Sequence, residues 1–320
     1  MTSKKSSDGN SRPKAVIICG PTGSGKSELG MMLCEKYEGR IISADSRQIY
    51  RRLDRGTAKP SLADRSRVPH YMIDVADIDE DFSAKKYSEM ASTAIKETLS
   101  DNKLPFIVGG AGLYLSALTG GLFEGPPADP ELRRQLESEA DNLGSDGLHR
   151  ELSMIDPEAA IKISSGDRVR IIRALEVYRL TGYKISELQS TGDYDCLNIE
   201  FLWLGLAYDR NALYERINLR VDRMIVDGLV DEVAGLREIG LGSPLKQKRI
   251  VGYYEVLDAL DGLMPMNKAV DLIKQHSRNY AKRQVTWFRH KSPVKWLTPK
   301  KANFHNEVFD IIDDYLKERA

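Results

Sequence analysis

Cysteine is scarce in this chain: three among 320 residues, at Cys19, Cys34 and Cys196. Their spacing matches no zinc site, and an odd count argues against a disulfide framework, so a reducing compartment is expected. No stretch approaches the ~18 consecutive apolar residues of a membrane span. Residues 1–14 carry no apolar core of a signal peptide, and a disordered arm is expected there on a soluble, cytoplasmic protein. Net charge is also missing, because 47 Lys and Arg balance 47 Asp and Glu. Any attraction for a polyanion must therefore come from local patches. Internal repeats and low-complexity segments are absent. With 41% hydrophobic residues the chain can bury one large core or two modest ones.

What stands out is Gly20-Pro21-Thr22-Gly23-Ser24-Gly25-Lys26-Ser27. It follows the apolar run Ala15–Cys19 and precedes a helical pattern starting near Glu28. The spacing G-x-x-x-x-G-K-S is that of a phosphate-cradling loop. Glycines let backbone N–H groups turn in around an anion, and the following helix adds its positive end. Lys26 supplies a mobile charge and Ser27 a hydroxyl suited to Mg²⁺. A phosphorylated ligand is expected; the loop alone does not make it a nucleotide.

Strand and helix patterns alternate after the loop. Strands are expected at 40–45, 70–74 and 105–110, with a Ser83-capped helix to about Ser100 and another helix from Leu113. This order implies an α/β fold, a P-loop NTPase-like parallel sheet flanked by helices. Ligands then gather at the carboxyl ends of the strands, where Gly20, Asp45 and Gly109 fall. From Asp129-Pro130, a helix start, to about Gln189 every segment reads helical, and strand pattern returns at 199–206. The expected division is a catalytic core of 15–124 and 196–320 with an all-helical insertion at 125–195. Helices are expected at about 210–228, 229–239, 253–260, 266–290 and 304–318.

Asp45, one strand over from the loop, is a candidate general base, metal-sphere ligand or helix cap. The apolar strand ending in a Mg²⁺-holding Asp, usual in nucleotide-hydrolysing loop proteins, is missing: strand 105–108 ends in Gly-Gly. His70–Asp74 could substitute, though its apolar run is short. The loop is therefore read as holding the phosphates of a leaving group. Cations gather late, with 13 Lys and Arg against 4 Asp and Glu between Pro244 and Lys301, a net +9. Within 278–289, Arg278, Lys282 and Arg289 fall near one helical face beside Tyr280, Trp287 and Phe288. Such a face suits a phosphate backbone and unstacked bases; a merely solvated face is the other reading. Arg168, Arg170, Arg173 and Arg179 form a second basic stripe. Arg216, Arg220 and Arg223 form a third, where Glu215 and Asp222 allow internal salt bridging.

The blocks Gly20–Ser27, Asp45-Ser-Arg-Gln-Ile-Tyr50, Gly56-Thr-Ala-Lys-Pro60, Gly109-Gly-Ala-Gly-Leu-Tyr114, Arg173-Ala-Leu-Glu-Val177, Val251-Gly-Tyr253 and Lys282-Arg-Gln-Val-Thr-Trp287, together and in this order, resemble the tRNA dimethylallyltransferases (tRNA isopentenyltransferases). The resemblance implies transfer of a dimethylallyl group from dimethylallyl diphosphate to the exocyclic amine of the adenine just 3′ of the anticodon, with Mg²⁺. It implies catalytic roles for Asp45 and Lys26. It implies diphosphate contacts from Gly20 to Ser27, Ala111, Arg216 and Arg220, with Mg²⁺ at Ser27. Asp45, Ser46, Arg47 and Gln48 would meet the target nucleotide. Further tRNA contacts would come from Arg133; from Val169, Arg170, Ile171, Ile172 and Arg173; from Arg249, Ile250, Val251, Gly252, Tyr253 and Tyr254; and from Lys282, Arg283, Gln284, Val285, Thr286, Trp287, Phe288 and Arg289. The insertion would grip the anticodon stem. A monomer is the default expectation. The family usually has threonine where this chain has Ala111, whose backbone N–H is expected to remain available to the diphosphate.

Three other readings stay open. An adenylate isopentenyltransferase would share the loop and Asp45 but need no Lys282–Trp287 block. A small-molecule kinase fits the loop and sheet. A nucleotide-gated RNA-binding module would bind tRNA and make no product.

Overall fold

The computed structural model describes residues 12–121, 123, 125–191, 197–290, 293–299 and 302–318. Most of the expected N-terminal arm, the end of the expected insertion at 192–195, and Cys196, Lys291, Lys300 and Lys301 lie outside them. In chain order the elements are β1 (Lys14–Cys19), α1 (Lys26–Tyr37), β2 (Arg40–Ala44), α2 (Leu62–Arg67), β3 (His70–Tyr71), α3 (Ala84–Ser100), β4 (Pro105–Gly109) and α4 (Gly112–Gly120). Then come α5 (Pro130–Ile155), α6 (Pro157–Lys162), α7 (Arg168–Thr181), α8 (Ile185–Thr191), β5 (Glu200–Leu206) and α9 (Arg210–Val226). The chain closes with α10 (Leu229–Glu238), α11 (Gly242–Gln247), α12 (Tyr253–Leu260), α13 (Met266–Arg289), β6 (Lys295–Leu297) and α14 (Phe304–Lys317). α5 is broken at Gly144, which takes a φ of 70°.

The six strands make one sheet in the order β3-β2-β4-β1-β5-β6, every pair parallel. The central strands are apolar on both faces because helices cover both. Ala15, Ile17, Ile42 and Ile107 pack with α3, α4, α12 and α13 on one side. Val16, Ile18, Phe106 and Leu204 pack with α1 and α14 on the other. Register decides where the chemistry falls. Cys19 lies beside Gly109, and Gly109 beside Ala44. The loops that begin at Gly20, Asp45 and Gly110 therefore leave the same sheet edge side by side.

Residues up to Thr119 and from Leu197 onward form one compact unit, and 120–196 a second. The second has its own core, in which Leu136, Leu148 and Leu152 of α5 meet Ile171 and Leu175 of α7. Two expectations need correction, and three short elements were not expected at all. Lys14 is already in β1, so the ordered chain starts before residue 15. The strand expected at 70–74 stops at Tyr71, because Met72 and Asp74 take φ of 63° and 56°. Short α2, α11 and β6 carried too few periodic residues to be read in advance.

Candidate functional site

The loop after β1 is built to hold an anion. Gly20, Gly23 and Gly25 all take positive φ. Gly25 is the N-cap of α1 and provides no side-chain cap, so the first helical amides keep their donors for a ligand. Lys26 Nζ donates to the Pro21 carbonyl of its own loop at 2.8 Å. Burial lowers its pKa from 10.5 to about 8; the Arg220 charge adds to the drop, and Asp45 opposes it. Burial also lowers Arg220, again against Asp45. Lys26, Arg220 and Asp45 thus share one electrostatic neighbourhood, with two cations around one carboxylate. α9 delivers two guanidinium groups to this edge. Arg216 Nε donates to the Gly23 carbonyl at 2.8 Å, and Arg220 Nη2 to the Thr57 carbonyl at 3.3 Å. Asp222 pairs with Lys274 at 2.6 Å, so the internal pairing of the third stripe uses a lysine of α13.

Asp45 Oδ1 accepts from the Arg47 N–H at 2.8 Å, which fixes the carboxylate over the turn that follows β2. No helix follows, so the expected helix-cap role becomes a turn contact, which orients the acid without consuming it, since a carboxylate has further lone pairs. Tyr280 and Tyr114 both feel its charge. The Tyr280 hydroxyl is pushed up to about 12 by burial and by Asp45, while Arg47, Arg283 and a hydrogen bond with Ser46 pull it down. Tyr114 stacks on Tyr87 at 4.2 Å between ring centres.

The glycine-rich block after β4 is shaped by α13. A Cβ on Gly110 would lie 2.2 Å from Gln284 Nε2, and one on Gly112 would lie 2.4 Å from the Trp287 indole. Gly56 likewise receives the ring of Tyr253, whose hydroxyl donates to Glu232 at 2.6 Å. The specific blocks of the sequence are thus held against one another through side chains that lie far apart in the chain.

Several candidate contacts are occupied or enclosed. The Ala111 N–H donates to the Ala44 carbonyl at 3.0 Å, so the backbone contact expected from Ala111 to a diphosphate is not available here. Asp74, the possible metal carboxylate, is held by Lys59 at 2.5 Å and Arg65 at 2.6 Å; it closes a scaffold ion cluster. Gln48 is buried, donating to the Thr57 and Ala58 carbonyls. Ile171, Ile172, Ile250, Tyr253 and Phe288 are core side chains. Arg133 and Arg173 both bind Glu176, which is fully buried and also accepts the Asp129 N–H. Arg168 pairs with Asp141 and Arg179 with Glu139, so much of the second stripe is internal. Val169, Arg170, Arg249, Lys282, Arg283, Thr286 and Arg289 are exposed. Ser46, Arg47, Val251, Tyr254, Val285 and Trp287 are half-buried. Gly252 caps α12. The pairing carboxylate Glu232 had no sequence signal beyond its charge, whereas Glu176 falls inside the Arg173–Val177 block with no role implied for it there.

Among the described residues no group of three His, Cys, Asp or Glu could hold a metal, and no helix is long and apolar enough to cross a membrane. The IPP transferase family model matches residues 48–291. The chain belongs to the IPP transferase family. It is 46% identical over 290 residues to tRNA dimethylallyltransferase 1 of Citrifermentans bemidjiense, covering 91% of this chain and 94% of that one. It is 45% identical to tRNA dimethylallyltransferase of Geobacter sulfurreducens, covering 90% and 92%. The crystal structure of the tRNA isopentenylpyrophosphate transferase of Bacillus halodurans superposes with a TM-score of 0.68 at 38% identity, covering 95% of this chain and 96% of that one. A eukaryotic dimethylallyltransferase captured acting on tRNA superposes with a TM-score of 0.80 at 26% identity, covering 96% and 80%. The chain thus pairs a phosphate loop with a long cationic helix, which a free-nucleotide prenyltransferase or a kinase does not require.

Proposed function

We propose that this IPP transferase moves a dimethylallyl group from dimethylallyl diphosphate to the exocyclic amine of the adenine 3′-adjacent to the anticodon of tRNA. The observation that carries this is Asp45, held over its turn and within electrostatic reach of both Lys26 and Arg220. In the step, the bond from the allylic carbon to diphosphate oxygen breaks as a bond to the adenine nitrogen forms. Negative charge grows on the leaving oxygens, where charged Lys26 and the loop amides stabilise it. The amine proton passes to the Asp45 carboxylate. The adenine has to leave its stack to reach this edge, at a cost of about a few kcal/mol.

The exposed cations of α13, with Arg170 and Val169 on the helical insertion of about 125–195, are the RNA-facing groups in this reading. Mg²⁺ fits the donor set in one respect: it usually takes few protein oxygens and completes its shell with phosphates and water. The exposed Ser27 hydroxyl at the start of α1 would hold it. When bound it neutralises charge on the departing diphosphate. A tRNA acceptor implies a cytoplasmic site of action. The test is mass analysis of tRNA and of AMP after incubation with the donor. Wild type should add one dimethylallyl group to tRNA, and Asp45→Ala should lose about 10²-fold or more in rate. Product from AMP alone would replace this reading with the free-nucleotide one.

A further inference from the structure

Gln284 lies in the cationic helix, among residues whose resemblance points to RNA, yet it does not face solvent. Its side chain is 6% exposed and spans two strand ends. Oε1 accepts the Thr22 N–H at 2.8 Å, and Nε2 donates to the Gly110 carbonyl at 2.9 Å. The amide can be oriented only one way, because an N–H must donate and a carbonyl must accept. The bond to Thr22 falls inside the phosphate loop; the bond to Gly110 falls just past β4. Gln284 thus ties the two segments together beyond the sheet behind them.

We propose that Gln284 is a positioning residue for the donor site: its amide fastens the phosphate loop to the β4 edge and sets the loop's shape before the donor arrives. Thr22 gives its N–H to Gln284, and Ser24 gives its own to the Pro21 carbonyl at 3.3 Å. The anion is left to the amides that open α1 and to Lys26. Gly110 is part of the same device, since a Cβ there would fall 2.2 Å from Nε2. Toward the end of α13, Lys282, Arg283, Thr286 and Arg289 are exposed. One helix thus shapes the donor loop from its buried face and offers cations on its open face. This rests on the proposed reading that the loop takes a prenyl diphosphate and α13 meets RNA.

The test measures dimethylallyl diphosphate and an anticodon stem-loop separately, as Kd and KM, in wild type, Gln284→Met and Gln284→Glu. Methionine keeps the volume and loses both bonds. Glutamate keeps the acceptor for Thr22 but sets a carboxylate against the Gly110 carbonyl and beside the anion site. Donor affinity should fall about tenfold in Gln284→Met, as for loss of two buried hydrogen bonds, and further in Gln284→Glu. Stem-loop affinity should stay within about twofold. Unchanged donor affinity, or loss of stem-loop affinity alone, overturns the assignment. If wild type itself binds no donor, it is the underlying reading that fails. Amide exchange in the wild-type chain needs no variant: Thr22 should be protected without ligand, and an unprotected Thr22 amide overturns the proposal.

Discussion

Lys26 makes donor binding depend on pH in a range where the donor itself scarcely titrates. Burial and Arg220 bring its pKa from 10.5 to about 8 in the free protein. That gap corresponds to about 3 kcal/mol against the charged form. The ligand needs the charged form. About nine in ten molecules carry it at pH 7 and about one in ten at pH 9. Affinity for dimethylallyl diphosphate should therefore fall about tenfold between those values, with a proton taken up on binding near pH 8 to 9. The donor's own last ionisation lies near 6, so it is fully charged throughout. Titration calorimetry without RNA, in buffers of different ionisation enthalpy, reads both quantities. Lys26→Met should bind weakly and without the pH step. A flat affinity from pH 7 to 9 with no proton uptake would refute the reasoning. The stability sign follows the same gap. Between about 8 and 10.5 the unfolded chain binds more protons than the folded one, so this residue makes the fold more stable as pH rises through that window.

Other outcomes follow from particular contacts. Ala111→Thr should keep turnover and lower the donor KM by up to about tenfold, the worth of one hydrogen bond to a charged group; a large loss of rate would show that the hydroxyl does not point at the diphosphate. Glu176→Gln should destabilise the helical unit of 120–196 by about 2–3 kcal/mol in denaturant titrations, because it uncouples Arg133 and Arg173 from a buried partner, although Arg133 is partly solvated. Burial pushes the Glu176 carboxyl up, but the two arginines and the Asp129 N–H hold it below the ordinary 4.5. Its stabilisation is thus present above that value and is lost as acidification passes below it, so an insertion equally stable at pH 3 and pH 7 would contradict the role given to this pair.

The strands and helices that build the sheet were legible because their cause is local. Ala15–Cys19, Arg40–Ala44 and Pro105–Gly109 are short apolar runs bounded by turn residues, and Ser83, Asp129 and Asp209 are helix caps whose side chains accept the first amides. His70–Asp74 was legible only by half, since left-handed backbone at Met72 and Asp74 ends the strand where composition continues it. The anion loop was legible for a similar reason: its glycines, lysine and serine act within eight neighbouring residues.

What the chain could not declare by itself is which polar groups remain free for a ligand. Arg168, Arg173 and Arg179 look like a polyanion-binding stripe until their carboxylates are placed. Gln284 reads as an RNA contact until its amide is found between Thr22 and Gly110. The sequence determined the sheet, the phosphate loop and the acid beside it, because periodicity and turn chemistry act over a few residues. Only the tertiary structure decided which cations, amides and acids partner one another, because those bonds join residues as distant in the chain as Thr22 and Gln284, 262 positions apart, and depend on register and helix packing.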